Sequence, residues 1–191
     1  MMTSPELLLH KHEIEQVLFR YARGVDRRDW DLVRSAYHPD AIDLHGIYDG
    51  DIEGFLRNLK ERHENIEQST HLISNIVIQM YGPVTALAES YYICYQRLKS
   101  ARLGEAEKPD IPDLKPGETL QFAMVGRYID RFERRDGAWR IARRTVVYDV
   151  LERYATPVGG GLDRRLALSR RDRDDVLYLE RRRMQTMRSE T

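Results

Sequence analysis

The sequence predicts an α+β fold in which helices cover one face of a strongly curved antiparallel sheet. Helical spacing of apolar residues dominates roughly the first 65 residues, and four long strand-like runs follow. Helices followed by a run of strands are typical of this class. The strands are long for a chain of 191 residues, so we expect the sheet to bend. A curved sheet closed by helices forms a cone, and its open end is a natural apolar pocket.

Three helices are expected in this first part of the chain. The first begins at Ser4-Pro5, a suitable N-cap and first helical residue, and ends at Asp26. A short second helix is expected at 29–36, capped by Asp29, and a third at 51–63. The residues that repeat at helical spacing in the first helix are Leu7, Leu8, Ile14, Val17, Leu18, Tyr21, Ala22 and Val25.

The strands are short at first and long later. A short strand is expected at 41–45, between turns at His38-Pro39-Asp40 and Tyr48-Asp49-Gly50. Gly82-Pro83 and Asp136-Gly137 mark two turns between the longer strands. The four long β-rich runs comprise residues 70–80, 84–99, 119–134 and 138–151.

Two segments depart from these patterns. Residues 101–118 are polar and contain three prolines, and a loop of this length is usually a functional lid, a subunit contact or a disordered segment. Gly159-Gly160-Gly161 marks a flexible break. We therefore expect a main domain at 1–157 and a charged, arginine-rich tail at 158–191. The tail either contacts another subunit, covers the pocket or forms an ordinary solvated helix.

The composition restricts the classes of function. Lys and Arg number 31, as do Asp and Glu, so no net basic field argues for nucleic acid or an anionic membrane. Cys94 is the single cysteine, which excludes an internal disulfide and a cysteine-rich zinc site. Metal-ligand spacing, a phosphate-binding glycine loop and a nucleophile elbow are all missing, so neither a metal nor a cofactor is expected. The polar N-terminus and the lack of a long apolar run favour a cytoplasmic protein.

Asp26 and His71 are the strongest candidates for catalysis. Asp26 ends the first predicted helix, where the helix dipole disfavours an acid, so we expect a local partner that stabilises it. His71 opens the first long strand-like run. A carboxylate facing an imidazole fixes its tautomer and stabilises the imidazolium, which makes a proton-abstracting base near neutral pH. The alternatives are a solvated helix-end aspartate and an ordinary core or edge histidine.

Four further residues are weaker candidates. Asn75 shares the strand face of His71 and either orients substrate or hydrogen-bonds a strand neighbour. Trp30 is a second candidate for contacting substrate. Tyr21 lies on the apolar stripe of the first helix, where core packing is the default, although a buried hydroxyl needs a partner. Arg144 alternates with small apolar residues, so its side chain either reaches water or is held inside for an anion.

The order of elements and three motifs resemble the SnoaL-like branch of the NTF2-like superfamily. This branch is similar in turn to scytalone dehydratase, hexachlorocyclohexane dehydrochlorinase and bile-acid 7α-dehydratase. The resemblance covers about residues 6–155. It implies the NTF2-like cone, in which three N-terminal helices and a strongly curved antiparallel sheet enclose an apolar pocket. The motifs are the helix end Tyr21…Asp26…Trp30, the turn His38-Pro-Asp-Ala41 and the run from Gly126 to Arg144.

The resemblance also implies roles for single residues. The catalytic aspartate of the eliminating members, at the end of the first helix, matches Asp26. Their catalytic histidine, on the strand after the third helix, matches His71. Tyr21 matches a tyrosine of the bile-acid enzyme, and Arg144 matches a pocket arginine on the final strand. The long loop and the tail depart from these relatives, so the identity of the substrate does not transfer.

These matches imply a cofactor-independent lyase that removes a carbon-bound proton from a largely apolar aromatic or polycyclic compound. Water is the expected leaving group, and hydrogen halide or formaldehyde would need the same residues. An isomerase is the near alternative, because the same base could return the proton elsewhere. A non-catalytic binding module, like the small subunits of ring-hydroxylating dioxygenases, is the alternative from another class. The expected partners are a small substrate and further copies of the chain, as a trimer or otherwise a dimer, without nucleic acid or membrane.

Overall fold

The computed structural model describes residues 4–99, 114–163 and 165–189. Within these ranges, three helices precede the long strands and a fourth lies near the C-terminus. The predicted α+β class is confirmed. The elements are α1 (Ser4–Arg27), α2 (Trp30–Arg34), β1 (Tyr37–Leu44), β2 (Asp49–Asp51), α3 (Ile52–Glu64), β3 (Ile66–Met80), β4 (Thr85–Leu98), β5 (Glu118–Arg135), β6 (Ala138–Pro157), a 3-10 turn (Val158–Gly161) and α4 (Val176–Ser189).

The six strands form one open sheet in the order β2-β1-β6-β5-β4-β3. The strands from β3 to β6 pair antiparallel with their sequence neighbours. The first strand, β1, pairs parallel with the last one, β6. The sheet is therefore mixed rather than purely antiparallel. After β2, α3 carries the chain from one edge of the sheet to the other, where β3 begins.

The turn expected at His38-Pro39-Asp40 lies inside β1. The register between β1 and β6 shifts between Tyr37 and Ile42, so this stretch forms an irregularity in the strand rather than a turn. Proline is tolerated in a strand at such a position, because the missing N–H costs no ladder hydrogen bond there.

The apolar stripe of α1 packs against the inner face of the sheet. Ile14, Val17 and Leu18 are almost completely buried in the core. Strand β4 shows the alternation that separates the two faces of the sheet. Tyr92 is buried on the inner face, whereas Tyr91 is 38% exposed on the outer face. The two faces differ because the helices cover only one of them.

Strand β3 carries a bulge at Asn75. The residue has a positive φ of 46°, and the register with β4 shifts between Ser74 and Val77. An asparagine adopts this left-handed conformation more readily than most residues. The bulge ends the simple alternation from His71, and Asn75 is exposed. The expectation that Asn75 shares a pocket-facing side with His71 is corrected for this reason.

A row of buried charges crosses three neighbouring strands. Asp130 of β5 pairs in register with Arg144 of β6, which pairs in turn with Asp43 of β1. Arg144 donates from Nε and Nη2 to the two carboxylate oxygens of Asp130, at 2.8 and 2.7 Å. All three side chains are fully buried. Bidentate pairs of this kind fix geometry as well as charge.

The C-terminal tail packs on the end of α1 of the same chain. Tyr178, in the first turn of α4, is 5% exposed, and its hydroxyl donates to Asp29 at 3.2 Å. The two functional roles expected for the tail at 158–191, a subunit contact or a pocket cover, stay predictions. Of the loop expected at 101–118, residues 101–113 lie outside the described ranges.

Removing one member of the Arg144–Asp130 pair should strongly destabilise the fold. In Arg144→Met the carboxylate of Asp130 is buried without its cation, so the free energy of unfolding should fall by about 3–5 kcal/mol. The double variant with Asp130→Leu should recover most of this loss. Urea unfolding followed by circular dichroism measures both. Arg143→Gln, an exposed neighbour, is the control and should change stability by less than about 0.5 kcal/mol. An equal loss in the double variant would contradict the ion-pair explanation.

Candidate active site

The side chains of Asp26 and His71 meet at the end of α1. His71 Nδ1 lies 2.6 Å from Asp26 Oδ1, and the backbone N–H of His71 donates to Asp26 Oδ2 at 2.8 Å. The hydroxyl of Ser69 donates to Asp26 Oδ1 at 3.0 Å. Because an ionised carboxylate only accepts hydrogen bonds, the shared hydrogen belongs to His71 Nδ1. The other ring nitrogen, Nε2, is then the one that exchanges a proton with a substrate.

The environment of His71 favours the protonated ring. Burial by itself lowers the pKa of His71, but Cys94 and Asp26 outweigh it, so the pKa lies above the ordinary value of 6.5. Cys94 stands opposite His71 across the β3–β4 pair. Asp26 accepts the Nδ1 hydrogen, so it stabilises the imidazolium directly. A raised pKa makes the neutral ring a stronger base, but the neutral ring then dominates only at a higher pH.

A cavity opens onto His71 between the helices and the sheet. Its empty volume, open mouth included, is about 490 Å³. Its wall combines apolar and polar side chains. The apolar side chains are Val25, Ile47, Phe55, Leu59, Met124 and Val146, and the polar ones include His45, Asn58, Arg62, His63, His71 and Gln96.

Tyr21 lines this cavity, whereas Arg144 lies behind it. The guanidinium carbon of Arg144 is 4.2 Å from the ring centre of Tyr21 and 4.0 Å from that of Tyr128. Both rings face the cavity, and Asp130 engages the cation from the other side. The expectation that Arg144 holds an anion inside the pocket is corrected accordingly. Burial raises the pKa of Tyr21 well above its ordinary value of 10, and it outweighs the Arg144 cation, which lowers the pKa. The hydroxyl therefore stays protonated and can donate a hydrogen bond.

The two residues expected to contact substrate do not line the cavity. Asn75 points to solvent at its bulge. Trp30 is half-buried at the start of α2 and packs edge-to-face on His63, with ring centres 5.8 Å apart. Since His63 lines the cavity, Trp30 supports the wall from behind instead of touching its contents.

A second histidine held by a carboxylate lines the same cavity. His45 follows β1 directly, and its Nδ1 hydrogen-bonds Asp43 Oδ1. The hydroxyl of Tyr37 donates to the other oxygen of Asp43 at 2.7 Å. Because β1 and β3 lie toward opposite edges of the sheet, His45 and His71 enter the cavity from opposite sides. The i, i+2 spacing of Asp43 and His45 was the signal for this pair, since it places two strand residues on one face.

Two buried polar atoms in the wall lack partners. Neither the Tyr92 hydroxyl nor Gln96 Oε1 has a hydrogen-bond partner in the part of the chain that the structure describes. The Tyr92 ring stacks on Tyr128 with centres 4.5 Å apart, which holds its hydroxyl in place. Buried polar groups are nearly always hydrogen-bonded. These two atoms are therefore positions at which a bound molecule or water can form hydrogen bonds.

Comparison with protein families agrees with this architecture. A model of the SnoaL-like domain matches residues 6–145. The chain belongs to the SnoaL-like family. Comparison with curated proteins gave no match.

Solved structures similar to this SnoaL-like chain include two eliminating enzymes by name. A protein described as a candidate scytalone dehydratase, from Novosphingobium aromaticivorans, is 18% identical with a TM-score of 0.65 and covers 82% of this chain and 98% of its own. A hexachlorocyclohexane dehydrochlorinase (LinA) of type 2 is 17% identical with a TM-score of 0.65, covering 80% and 93%. Rv3472 from Mycobacterium tuberculosis, described as of unknown function, is 18% identical with a TM-score of 0.54, covering 91% of both chains. At these identities the likeness shows the fold.

The described part of this SnoaL-like chain contains neither a metal-binding group of side chains nor a membrane-spanning helix. Within it, no three His, Cys, Asp or Glu side chains are grouped so that they could hold a metal ion. None of the described helices combines the length and the apolar character needed to cross a membrane.

Replacing Asp26 by Asn should lower the pKa of His71. The carboxylate is one of the two groups that raise that pKa, so without it the pKa should fall toward its ordinary value of 6.5. Because the pKa is raised in the folded state, the stabilisation from this group is complete below about pH 6.5 and is lost as the pH rises through the folded-state value. Titration of the ring signals by NMR measures the shift. Asp31→Asn, an exposed carboxylate on α2, is the matched control, and an unshifted His71 in Asp26→Asn would refute the coupling.

Proposed function

We propose that this SnoaL-like protein is a cofactor-independent lyase that eliminates water from a largely apolar ring compound. The observation that carries the proposal is the 2.6 Å contact between Asp26 and His71 at the wall of the cavity. A histidine oriented by a carboxylate is a suitable general base. Hydrogen halide or formaldehyde could leave by the same route.

The reaction requires two proton transfers. His71 Nε2 takes the proton of a carbon that a neighbouring carbonyl group acidifies, and the electron pair of that C–H bond forms the new double bond. The C–O bond to the leaving group breaks, and the departing hydroxide takes a proton to become water. Asp26 stabilises the imidazolium that forms on His71.

The second histidine favours elimination over isomerisation. An isomerase can return the abstracted proton with the same base, whereas hydroxide is a poor leaving group without a proton donor. His45, held by Asp43 on the opposite side of the cavity, is suited to supply that proton. We therefore assign His71 as the base and His45 as the acid, and we keep the single-base isomerase as the alternative.

Tyr21 is the third polar contact that we assign to the reaction. Its protonated hydroxyl can donate to the oxygen of the substrate carbonyl, on which negative charge develops. Arg144 contributes through Tyr21, because its cation lies against the ring instead of the substrate. The apolar side chains of the cavity wall, among them Phe55 and Met124, suit the ring of the substrate. The dehydratase and dehydrochlorinase named among the similar structures accord with this reaction class.

Variants of the two histidines should separate the two proton transfers. With a panel of cyclic β-hydroxy ketones in D₂O, His71→Ala should lose both water elimination and deuterium uptake at the acidified carbon, by about 10²–10⁴-fold. Asp26→Asn should lose nearly as much. His45→Gln should keep deuterium uptake but lose elimination, since only the proton donor is missing. Mass spectrometry measures both products.

His12→Gln is the matched control, because His12 is an exposed histidine on α1. Wild-type turnover in folded His71→Ala would refute the mechanism. Elimination at the wild-type rate in His45→Gln would show that His45 is not the acid and that the reaction needs only His71. A wild-type protein that binds members of the panel in the cavity, without exchange or elimination, would be a binding module.

The outer face of the sheet supports the proposal of a homo-oligomer. Leu72, Leu87, Tyr91 and Tyr95 expose between 37% and 50% of their surface on this face. Apolar patches of this kind on a protein surface usually mark interfaces. A second copy of the same chain is the partner that the family resemblance implies.

Light scattering should therefore give three times the chain mass of 22.5 kDa, or twice that mass for the alternative dimer. Tyr95→Glu should shift the protein toward the monomer, because a charge placed on the patch cannot be buried without a partner. Tyr81→Glu, an exposed tyrosine at a turn, is the control and should keep the oligomer. A monodisperse monomer at micromolar concentration would contradict the proposal.

A further inference from the structure

Helix α1 ends beside the carboxylate of Asp26, where the local electrostatics are unfavourable. The last carbonyl groups of a helix have no donors within it. They give the C-terminal end a partial negative charge, which disfavours a carboxylate nearby. Asp26 is only 8% exposed, so water compensates little. The backbone N–H of Arg28 reaches the carbonyl of Val25 at 3.3 Å, and further donors and positive charge come from another part of the protein.

The guanidinium of Arg171 supplies both from 145 residues further along the chain. Its Nε donates to the backbone carbonyl of Asp26 at 3.0 Å, and its Nη2 donates to that of Val25 at 2.9 Å. Its Nη1 donates to the carbonyl of Ile66, the first residue of β3, at 2.9 Å. One buried side chain thus ties the helix end that carries Asp26 to the strand that carries His71.

Arg171 also determines the state of a histidine in the cavity wall. Its Nη2 lies 2.6 Å from His63 Nδ1. A guanidinium only donates, so Nδ1 must be the acceptor and the ring of His63 is neutral, with its hydrogen on Nε2. Burial and the neighbouring cations lower the pKa of His63 well below its ordinary value. The titratable and charged groups around His63 are Arg171 of the tail, Arg62 of α3, His71 of β3 and Arg28 after α1.

Residues 170–178, named the strap here, hold Arg171 in this position. Asp175, whose side chain is nearly buried, lies 3.5 Å from Arg27. Arg173, whose side chain is 66% exposed, adds only a surface ion pair with Asp29 at 3.1 Å, a kind of contact that contributes little to stability. The buried Tyr178 donates its hydroxyl to Asp29. The strap therefore contacts the residues that directly follow Asp26 in the chain.

We propose that Arg171 is a positioning residue for the Asp26–His71 pair and that the strap serves to place it there. The proposal depends on the proposed function in that His71 is taken as the base. Arg171 fixes the last turn of α1 against the start of β3, and this fixes the carboxylate relative to the imidazole. The strap lies beyond the residues 6–145 that the family model matches, so a segment outside the matched domain completes the site.

Variants of Arg171 test this role without a substrate. Arg171→Gln removes the charge and most of the donors, whereas Arg171→Lys keeps the charge but cannot reach all the acceptors. Arg173→Gln breaks a surface contact of the same strap and is the matched control. Long-range ¹H–¹⁵N spectra of the histidine rings report the pKa of His63 and the hydrogen bond of His71 Nδ1. Amide exchange reports the last turn of α1.

In Arg171→Gln the pKa of His63 should rise by about one unit or more, and the signal of the hydrogen-bonded His71 Nδ1 proton should weaken. Arg171→Lys should keep the pKa of His63 low but speed amide exchange in the last turn of α1. Arg173→Gln should match the wild type in each measurement. Equal spectra in Arg171→Gln and the wild type, or equal changes in Arg173→Gln, would overturn the proposal.

If Arg171→Gln does not fold, the same measurements on Arg171→Lys test the positioning role. A lysine variant indistinguishable from the wild type would then overturn that role. With an active substrate, Arg171→Gln should lower kcat by about 10- to 100-fold and leave KM nearly unchanged. The NMR shifts do not depend on turnover. Shifted histidines in a protein that eliminates nothing would therefore refute the proposed function and retain the role of Arg171 in positioning the pair.

Discussion

The carboxylate of Asp26 joins helix α1 to strand β3, and the shape of the site depends on this contact. The hydroxyl of Ser69 and two N–H groups of His71 converge on its two oxygens. Hydrogen bonds to an ionised acceptor are stronger than neutral ones. They set the position of α1 along the edge strand, and with it the positions of Tyr21 and Val25 in the cavity wall. The imidazole is oriented by the same contact, so one carboxylate both positions the helix and orients His71.

The sequence predicted the regular parts of the molecule, because regular elements repeat a local rule. The apolar stripe of α1 and the alternation along β4 follow from spacings of 3.6 and 2 residues. A partner for Asp26 could be expected from its position, since an acid at a helix C-terminus is unfavourable. The family resemblance pointed to His71 as that partner. Their roles in a reaction remain a proposal that the geometry supports.

The parts that the sequence did not predict depend on irregular backbone or on distant residues. A bulge at Asn75 reversed the expected side of a strand residue, and a strand irregularity replaced the turn expected at His38-Pro39-Asp40. Arg144 was expected in the pocket, but its partner Asp130 is known only once the strands are in register. The contact of Arg171 with the end of α1 spans most of the chain, and no local pattern indicates it.

Buried polar groups on and behind the cavity wall differ in what they contact. Behind the wall, Arg144 and Asp130 share two hydrogen bonds, and the remaining Nη1 of Arg144, which has no hydrogen-bond partner within the described ranges, belongs to a guanidinium that lies against the rings of Tyr21 and Tyr128. On the wall itself, the Tyr92 hydroxyl and Gln96 Oε1 have no partner within the described ranges. An unsatisfied buried group costs about 1–3 kcal/mol, so a chain selected for stability alone would replace these two side chains by apolar ones. A bound molecule or water that supplied their partners would regain that free energy, which accords with the proposed role of this wall in binding.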